Sequence, residues 1–335
     1  MANFQRYLMR RFITLIPTVF GVVFLVFSIG YIMPADLARA WAGGIKAKKE
    51  FVEEIARKYH LDLPFLNLFY FFLVGILTNT LESPTLGVPI FTVLMALFPF
   101  TAQLAIMSML IAVLIGFPIG ILAAYKKDTK IDYLLRLWIY AMNAMPIFFL
   151  GCLMKYLAYN VYDVIGYKPS EYLKLPSRKI IGLPLIDAII LGEVDVFFDL
   201  FLRFFWPSLT LGLIYAAVIA RFVRAALLDV FGAEFMLFLT AKGVSSKREL
   251  LHAFRHALIP IITVIGYSFA SLLGGAVIVE IIFHLPGIGS LLYYSLFIYD
   301  VVVILGTTLF FAIIVVLTSF IIDIIYGIID PRIRY

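Results

Sequence analysis

The chain has 335 residues, 63% of them hydrophobic and 14% charged, with a mean hydropathy of +1.04. Soluble domains run at roughly 45–50% apolar and about 25% charged, so a soluble globular protein is excluded and an all-α polytopic membrane protein is expected. The net charge of +6 does not point to nucleic acid, because the basic residues are scattered between apolar runs, as in cytoplasmic loops. Cys152 is the only cysteine, which excludes an intrachain disulfide or a paired-cysteine metal site. His60, His252, His256 and His284 do not cluster with carboxylates at metal-ligand spacing, so no metal site is expected.

Residues 12–33 are apolar, follow Arg6, Arg10 and Arg11, and are long enough to cross a bilayer at about 20 residues per span. Their apolar core exceeds the roughly 7–15 residues of a cleaved signal, so a membrane span is expected instead. Residues 65–78 are also apolar but short, and are read as an interfacial or buried helix. A second span is expected over 100–124, where Gly116, Pro118 and Gly120 let neighbouring helices approach closely in lipid. A third covers 137–159 with Asn143, Pro146 and Lys155, and the proline is expected to kink it. Residues 161–205 read as an external loop with some helix. A fourth span starts at Trp206 and ends near Arg221 and Arg224; a fifth covers 261–283, with Glu280 near its far end. The sixth covers 301–325.

Between the fourth and fifth spans lies a hydrophilic stretch, 233–260, with its own helical grammar. Ser246-Lys247-Arg248-Glu249 has the spacing of a capping box. Leu250, Leu251, Phe254 and Leu258 recur at helical spacing, and Pro260 follows. Gly243 supplies a break before that helix, since glycine tolerates the left-handed geometry of helix ends. The stretch therefore reads as two short helices joined at a glycine, with Lys242, Lys247, Arg248 and Arg255 exposed. Such a surface fits docking of a soluble partner.

Six spans put both termini and this loop on one side. The N-terminal tail, 125–136, 221–257 and the C-terminal tail hold the majority of the 27 Lys and Arg on the shorter total length of loop, which places that side in the cytoplasm. No GxxxxGK[ST] phosphate loop occurs, and neither does HExxH or GxSxG. The chain is therefore expected to be no enzyme, and energy for uphill transport must come from another subunit. Ionisable residues in spans are functional candidates by default; Lys155, Glu280 and Asp323 qualify. Structural pairing is the stronger alternative for Glu280 and Asp323. Gln103 and Asn143 are candidate pathway polars, and helix-to-helix hydrogen bonding explains them equally well.

The loop resembles the ATPase-docking loop of ABC-importer permeases, in the pattern of the dipeptide and oligopeptide importers. The resemblance is carried by Glu234, Phe235, Ala241, Lys242, Gly243, Arg255, Ala257, Leu258, Ile259 and Pro260; Leu237, Phe238 and Leu239 depart from it, standing where the family usually has polar or small residues. RRFITLIPTVFGV, the run from Trp206, the turn with Pro286, Gly287 and Gly289, and the terminal IIDPRIRY also resemble the family. The resemblance implies the six-helix ABC type I importer fold. It divides the chain into 1–98, a span plus external segment; 99–328, the transmembrane core; and 329–335, a cytoplasmic tail. It implies a coupling site of Glu234, Ala241, Lys242, Gly243, Ser246, Glu249, Leu250, Leu251, Arg255 and Pro260. The pathway candidates are Gln103, Asn143, Lys155 and Glu280. It further implies a second similar permease, two ATP-binding subunits that carry ATP and Mg, an external substrate-binding protein, and residence in the plasma membrane. Peptides, oligosaccharides or a nickel chelate all remain open as cargo. An intramembrane enzyme would need a polar catalytic cluster that the sequence lacks, and an ATP-independent channel or secondary transporter leaves the loop unexplained.

Overall fold

The computed structural model describes residues 2–32, 36–42, 44, 47–165 and 173–329, with the side chains of 2–8, 165, 247 and 326–329 left aside. The end of the expected first span at 33, part of the expected external loop at 166–172 and the tail from 330 onward lie outside these residues, as does the side chain of Lys247. Thirteen helices follow one another among the described residues: α1 (Ala2–Ile32), α2 (Leu37–Trp41), α3 (Lys49–Lys58), α4 (Phe65–Leu77), α5 (Ile90–Tyr125), α6 (Lys130–Ala144), α7 (Ile147–Ile165), α8 (Pro184–Leu191), α9 (Val194–Phe231), α10 (Glu234–Ala241), α11 (Ser246–Phe283), α12 (Ile288–Ile298) and α13 (Val301–Ile329).

Five of these are long and apolar enough to cross a membrane, within Met9–Ile32, Ile90–Tyr125, Val194–Phe231, Arg248–Phe283 and Val301–Ile325. The sixth crossing is a broken one. The expected kinked span over 137–159 is instead two helices, α6 and α7, bent by 103°. The cause is Pro146: it disfavours helical backbone at the residue before it, and Met145 is extended at φ −79°, ψ 123°.

The centre of the bundle is α5 against α9, and small residues make that contact. A Cβ on Gly116 would lie 2.4 Å from the Ala216 carbonyl oxygen, and one on Gly120 would lie 2.7 Å from that of Ala220. Residues 116 and 120 thus meet 216 and 220 in the same order, so α5 and α9 run parallel. The chain must therefore cross back between them, and α6–α7 is the connection that does so. α11 then returns antiparallel to α9. α13 packs against α1, with Leu305 filling the space beside Gly30 and Arg11 bridging Asp323 at 3.2 Å. These contacts put the start of α1, the end of α13 and the α10–α11 turn at one end of the bundle.

Three further expectations need correction. α5 begins at Ile90 rather than near 100, because Pro99 is accommodated inside the helix. α9 begins at Val194, so the helix expected within 161–205 is continuous with the fourth span instead of separate from it; Asp199 and Arg203 pair at 2.9 Å one turn apart on this extension. α11 runs unbroken through Pro260.

The segment between α1 and α5 folds as a cap at the other end. α4 is 13 residues, about 20 Å long, too short to cross, and lies on α1 through an aromatic cluster: Phe27 meets Phe69 and Phe72 at ring separations of 5.3 and 5.0 Å. Each such pair contributes about 0.5–1.5 kcal/mol beyond its burial. The turn after α4 is fastened to the start of α13 by the fully buried Asp300, which accepts hydrogen bonds from the hydroxyls of Ser83 and Thr85 and from the Val303 amide at 3.0 Å. Tyr59 donates its hydroxyl to the Glu82 carbonyl at 2.8 Å, and burial, with Asp300 and Glu82 nearby, raises its pKa above the usual phenol value.

Candidate functional site: a docking hairpin and an outer cavity

At one end of the bundle, α10 and α11 form the hairpin expected over 233–260. Gly243 is left-handed at φ +73°. Its amide donates to the Thr240 carbonyl at 2.9 Å and the Val244 amide to that of Leu239 at 3.2 Å, the two bonds of a Schellman turn. The expected capping box does not form. Ser245, not Ser246, precedes the helix and caps nothing with its side chain, and Ser246 is the first helical residue. Glu249 is drawn away because its carboxylate accepts the Thr240 hydroxyl at 2.8 Å, tying α11 to α10. Phe235 against His256, with ring centres 4.6 Å apart, is a second tie.

The hairpin is rooted in the bundle. Met236, Ala253 and Ala257 are buried with Ala124, Val223 and Leu227 of α5 and α9, and Phe254 packs edge-on to Phe117 at 5.3 Å. Its outer surface carries Glu234, Ala241, Lys242, Ser246, Arg248, Arg255 and Pro260, all exposed, while Leu250 is half-buried. Among them Leu237 is 68%, Phe238 58% and Leu251 50% exposed. Large apolar side chains thus lie exposed beside three cations, with Lys242 Nζ 4.3 Å from the centre of the Phe238 ring.

At the opposite end lies a cavity of about 880 Å³, within the size range of small-ligand sites. Lys155, Tyr159 and Tyr162 of α7, Arg203 of α9, His284 after α11, and Tyr293 and Tyr294 of α12 line it. Of the four pathway candidates only Lys155 is among its lining residues. Its ammonium donates to the Ile282 carbonyl at 2.6 Å and lies 3.2 Å from His284 Nδ1. The other cavity residues were missed in the sequence, although Lys155, Tyr159 and Tyr162 recur at i, i+4 and i+7, the spacing of one helix face.

The remaining candidates sit elsewhere. Gln103 is buried; its carbonyl accepts the Leu185 amide at 2.7 Å at the start of α8, and its Nε2 has no hydrogen-bond partner among the described residues. Asn143 is exposed and donates to the Ile139 carbonyl one turn back. Glu280 is 1% exposed and caps α12: its carboxyl accepts the Thr101 hydroxyl at 2.7 Å and the Ser290 amide at 3.0 Å. The Pro-Gly-x-Gly turn is thereby explained, since a Cβ on Gly287 would lie 2.3 Å from the Glu280 carboxyl and one on Gly289 2.5 Å from Val277 Cα. No group of His, Cys, Asp and Glu among the described residues could hold a metal ion.

A single helix joins the two ends. α11 has 38 residues, about 57 Å at 1.5 Å per residue, roughly twice the 30 Å hydrocarbon core. It starts in the hairpin and finishes at Ile281, Phe283 and His284 on the cavity wall. The helical bundle thus carries an exposed apolar hairpin at one end and a cavity at the other.

The comparisons name the family. The sequence profile of the binding-protein-dependent transport system inner membrane component matches residues 116–335, and that of its N-terminal region matches 4–105. The chain belongs to this family of ABC-importer permeases. It is 30% identical over 335 residues to the dipeptide transport system permease protein DppB of Escherichia coli strain K12, covering 98% of this chain and 99% of that one. It is 34% identical over 334 residues to the di/tripeptide transport system permease protein DppB of Pseudomonas aeruginosa, covering 98% of each. The glutathione transport system permease protein GsiC of Pectobacterium atrosepticum is 34% identical over 331 residues, with 98% and 99% covered. Among solved structures, the MetNI methionine ABC transporter in an inward-facing conformation matches with a TM-score of 0.50 at 18% identity, over 69% of this chain and 94% of that one, a likeness of fold.

Proposed function

We propose that this chain is one transmembrane subunit of an ATP-driven importer that carries short peptides into the cell by alternating access. In this reading a second, similar permease completes the pathway. Two ATP-binding subunits, which carry ATP and Mg, seat on the α10–α11 hairpin in the cytoplasm, and an external binding protein delivers cargo to the cavity side. The observation that carries it is α11, one rod from the docking hairpin to the cavity wall: closure of the ATPases that tilts the hairpin also moves His284 and the α12 cap. Such a motion drives transport only if cargo binds the two states differently. Peptide cargo is favoured by the dipeptide, di/tripeptide and glutathione permeases to which the chain is similar.

Uptake by the assembled importer in sealed vesicles, with ATP supplied on the hairpin side, tests this. Dipeptides are expected to accumulate, and oligosaccharides and nickel chelates are not; the reverse selectivity would replace the cargo, and uptake without ATP would point to a channel or secondary transporter. Orientation is tested separately. In a Cys152→Ser background, Ser246→Cys is expected to label from the cytoplasm and Ser170→Cys from outside. Labelling of Ser246→Cys by an impermeant reagent added to intact cells contradicts cytoplasmic termini.

A further inference from the structure

The outer cavity contains a charge that no described carboxylate of this subunit neutralises. Lys155 sits on a membrane-crossing helix, where a lysine is expensive unless paired. No described carboxylate lies in ion-pair contact with its ammonium, whose two neighbours are the Ile282 carbonyl and His284 Nδ1. Among the described residues, the cavity lining contains no Asp or Glu. Its other permanent cation, Arg203, is already joined to Asp199 at 2.9 Å.

Capping explains where Lys155 points but not why it is charged. Ile282 lies in the last turn of α11, and a cation there is worth about 0.3–1 kcal/mol; a neutral donor could make the same bond. The neighbouring geometry also singles out the ammonium. His284 occupies the left-handed position that ends α11, at φ +54°, where glycine is the usual occupant. Its side chain turns to Lys155. The imidazole at 3.2 Å can accept from the ammonium only while it is neutral, so it orients the charge without cancelling it. Tyr159, Tyr293 and Tyr294 also line the space.

We infer that Lys155 is the counter-charge for a free carboxylate on the transported molecule, making the outer cavity selective for cargo with an anionic end. This rests on the reading of the chain as a peptide-importer permease. The same cation could be met by the phosphate of a lipid headgroup, and the test distinguishes the two.

The complete importer is reconstituted in proteoliposomes, and initial uptake rates of L-alanyl-L-alanine and its C-terminal amide are compared. The binding protein's own preference enters every variant equally and cancels when the rate ratios are compared. With Lys155→Gln, which keeps a donor for Ile282, the acid-to-amide ratio is expected to fall at least about tenfold, as for loss of one member of a desolvated charge pair. Lys155→Arg is expected to keep most of the ratio. As a control for folding, Lys155→Cys in the Cys152→Ser background is treated with 2-aminoethyl methanethiosulfonate, which restores a cation, or with the methyl reagent, which does not. Only the former is expected to recover dialanine uptake. Equal loss of both probes, as a capping or lipid-anchoring lysine predicts, or recovery with both reagents, overturns the inference while leaving the peptide reading intact. A wild-type importer that moves neither probe overturns both.

Discussion

Replacing Glu280 by glutamine separates a structural carboxyl from a substrate-contacting one. One oxygen of Glu280 accepts the Thr101 hydroxyl and the other the Ser290 amide, with the Gly289 amide a further donor to the carboxyl, and Thr101 in turn accepts from the Ile288 amide at 3.0 Å. Glutamine offers one acceptor oxygen and one donor nitrogen where the carboxylate offers two acceptor oxygens. Whichever way its amide turns, one buried donor loses its partner, at a cost of about 1–3 kcal/mol. Alanine strands both Thr101 and Ser290, for about 2–6 kcal/mol, and opens a cavity beside Gly287 and Gly289. The apparent melting temperature of the detergent-solubilised subunit is therefore expected to fall for Glu280→Gln and further for Glu280→Ala. Uptake per folded complex is expected to persist in Glu280→Gln at low temperature. An unchanged melting temperature with uptake abolished would refute the capping role and return Glu280 to the pathway.

The α5–α9 seam makes a second prediction: Gly116→Val must push backbone apart at Ala216, costing at least the roughly 1–3 kcal/mol of an overpacked core. It is expected to lower the yield of folded subunit, whereas Gly21→Val, which meets nothing within 4 Å, is expected to leave yield unchanged. A third concerns the fully buried Asp132, held by Arg224 through two bonds of 3.0 Å each. Asp132→Ala removes one partner of a buried pair, worth about 3–5 kcal/mol, and a lower melting temperature with faster proteolysis at the α5–α6 turn is the expected outcome. A wild-type cleavage rate there would contradict the assigned role of this pair.

Much of this architecture was legible because lipid enforces simple rules. Long apolar runs announced the crossings, and Gly116 and Gly120 announced the seam. Gly243 announced the hairpin turn, where only backbone geometry decides. The sequence misled where a local motif competed with a distant partner. Ser246 and Glu249 have capping-box spacing, yet Glu249 is taken by Thr240 on the neighbouring helix. Proline was ambiguous for a similar reason: Pro99 and Pro260 are absorbed within continuous helices, while Pro146 breaks one, and residue identity alone does not separate the cases. Structural pairing was the stronger reading of Glu280, yet its partner was not legible because Thr101 lies far away in sequence, and Asp300 was not singled out because its donors Ser83 and Thr85 are as distant. The cavity was least legible of all, since it is assembled from α7, α9, the turn after α11 and α12.

The central claim, that the α10–α11 hairpin couples this subunit to its ATPases, is tested most directly at Gly243. With φ at +73° and nothing within 4 Å of a Cβ placed there, Gly243→Val incurs a backbone penalty alone, about 1–2 kcal/mol. Gly192 is the matched control: φ is +70°, a Cβ meets nothing, and it lies after α8 at the far end of the bundle. The measurement is the amount of ATPase subunit that co-purifies with each variant from membranes at equal permease content. Gly243→Val is expected to insert normally and retain several-fold less ATPase, since 1–2 kcal/mol corresponds to a factor of roughly 5–30, while Gly192→Val retains the wild-type amount. Full ATPase retention by Gly243→Val, or equal loss in both variants, would contradict the account.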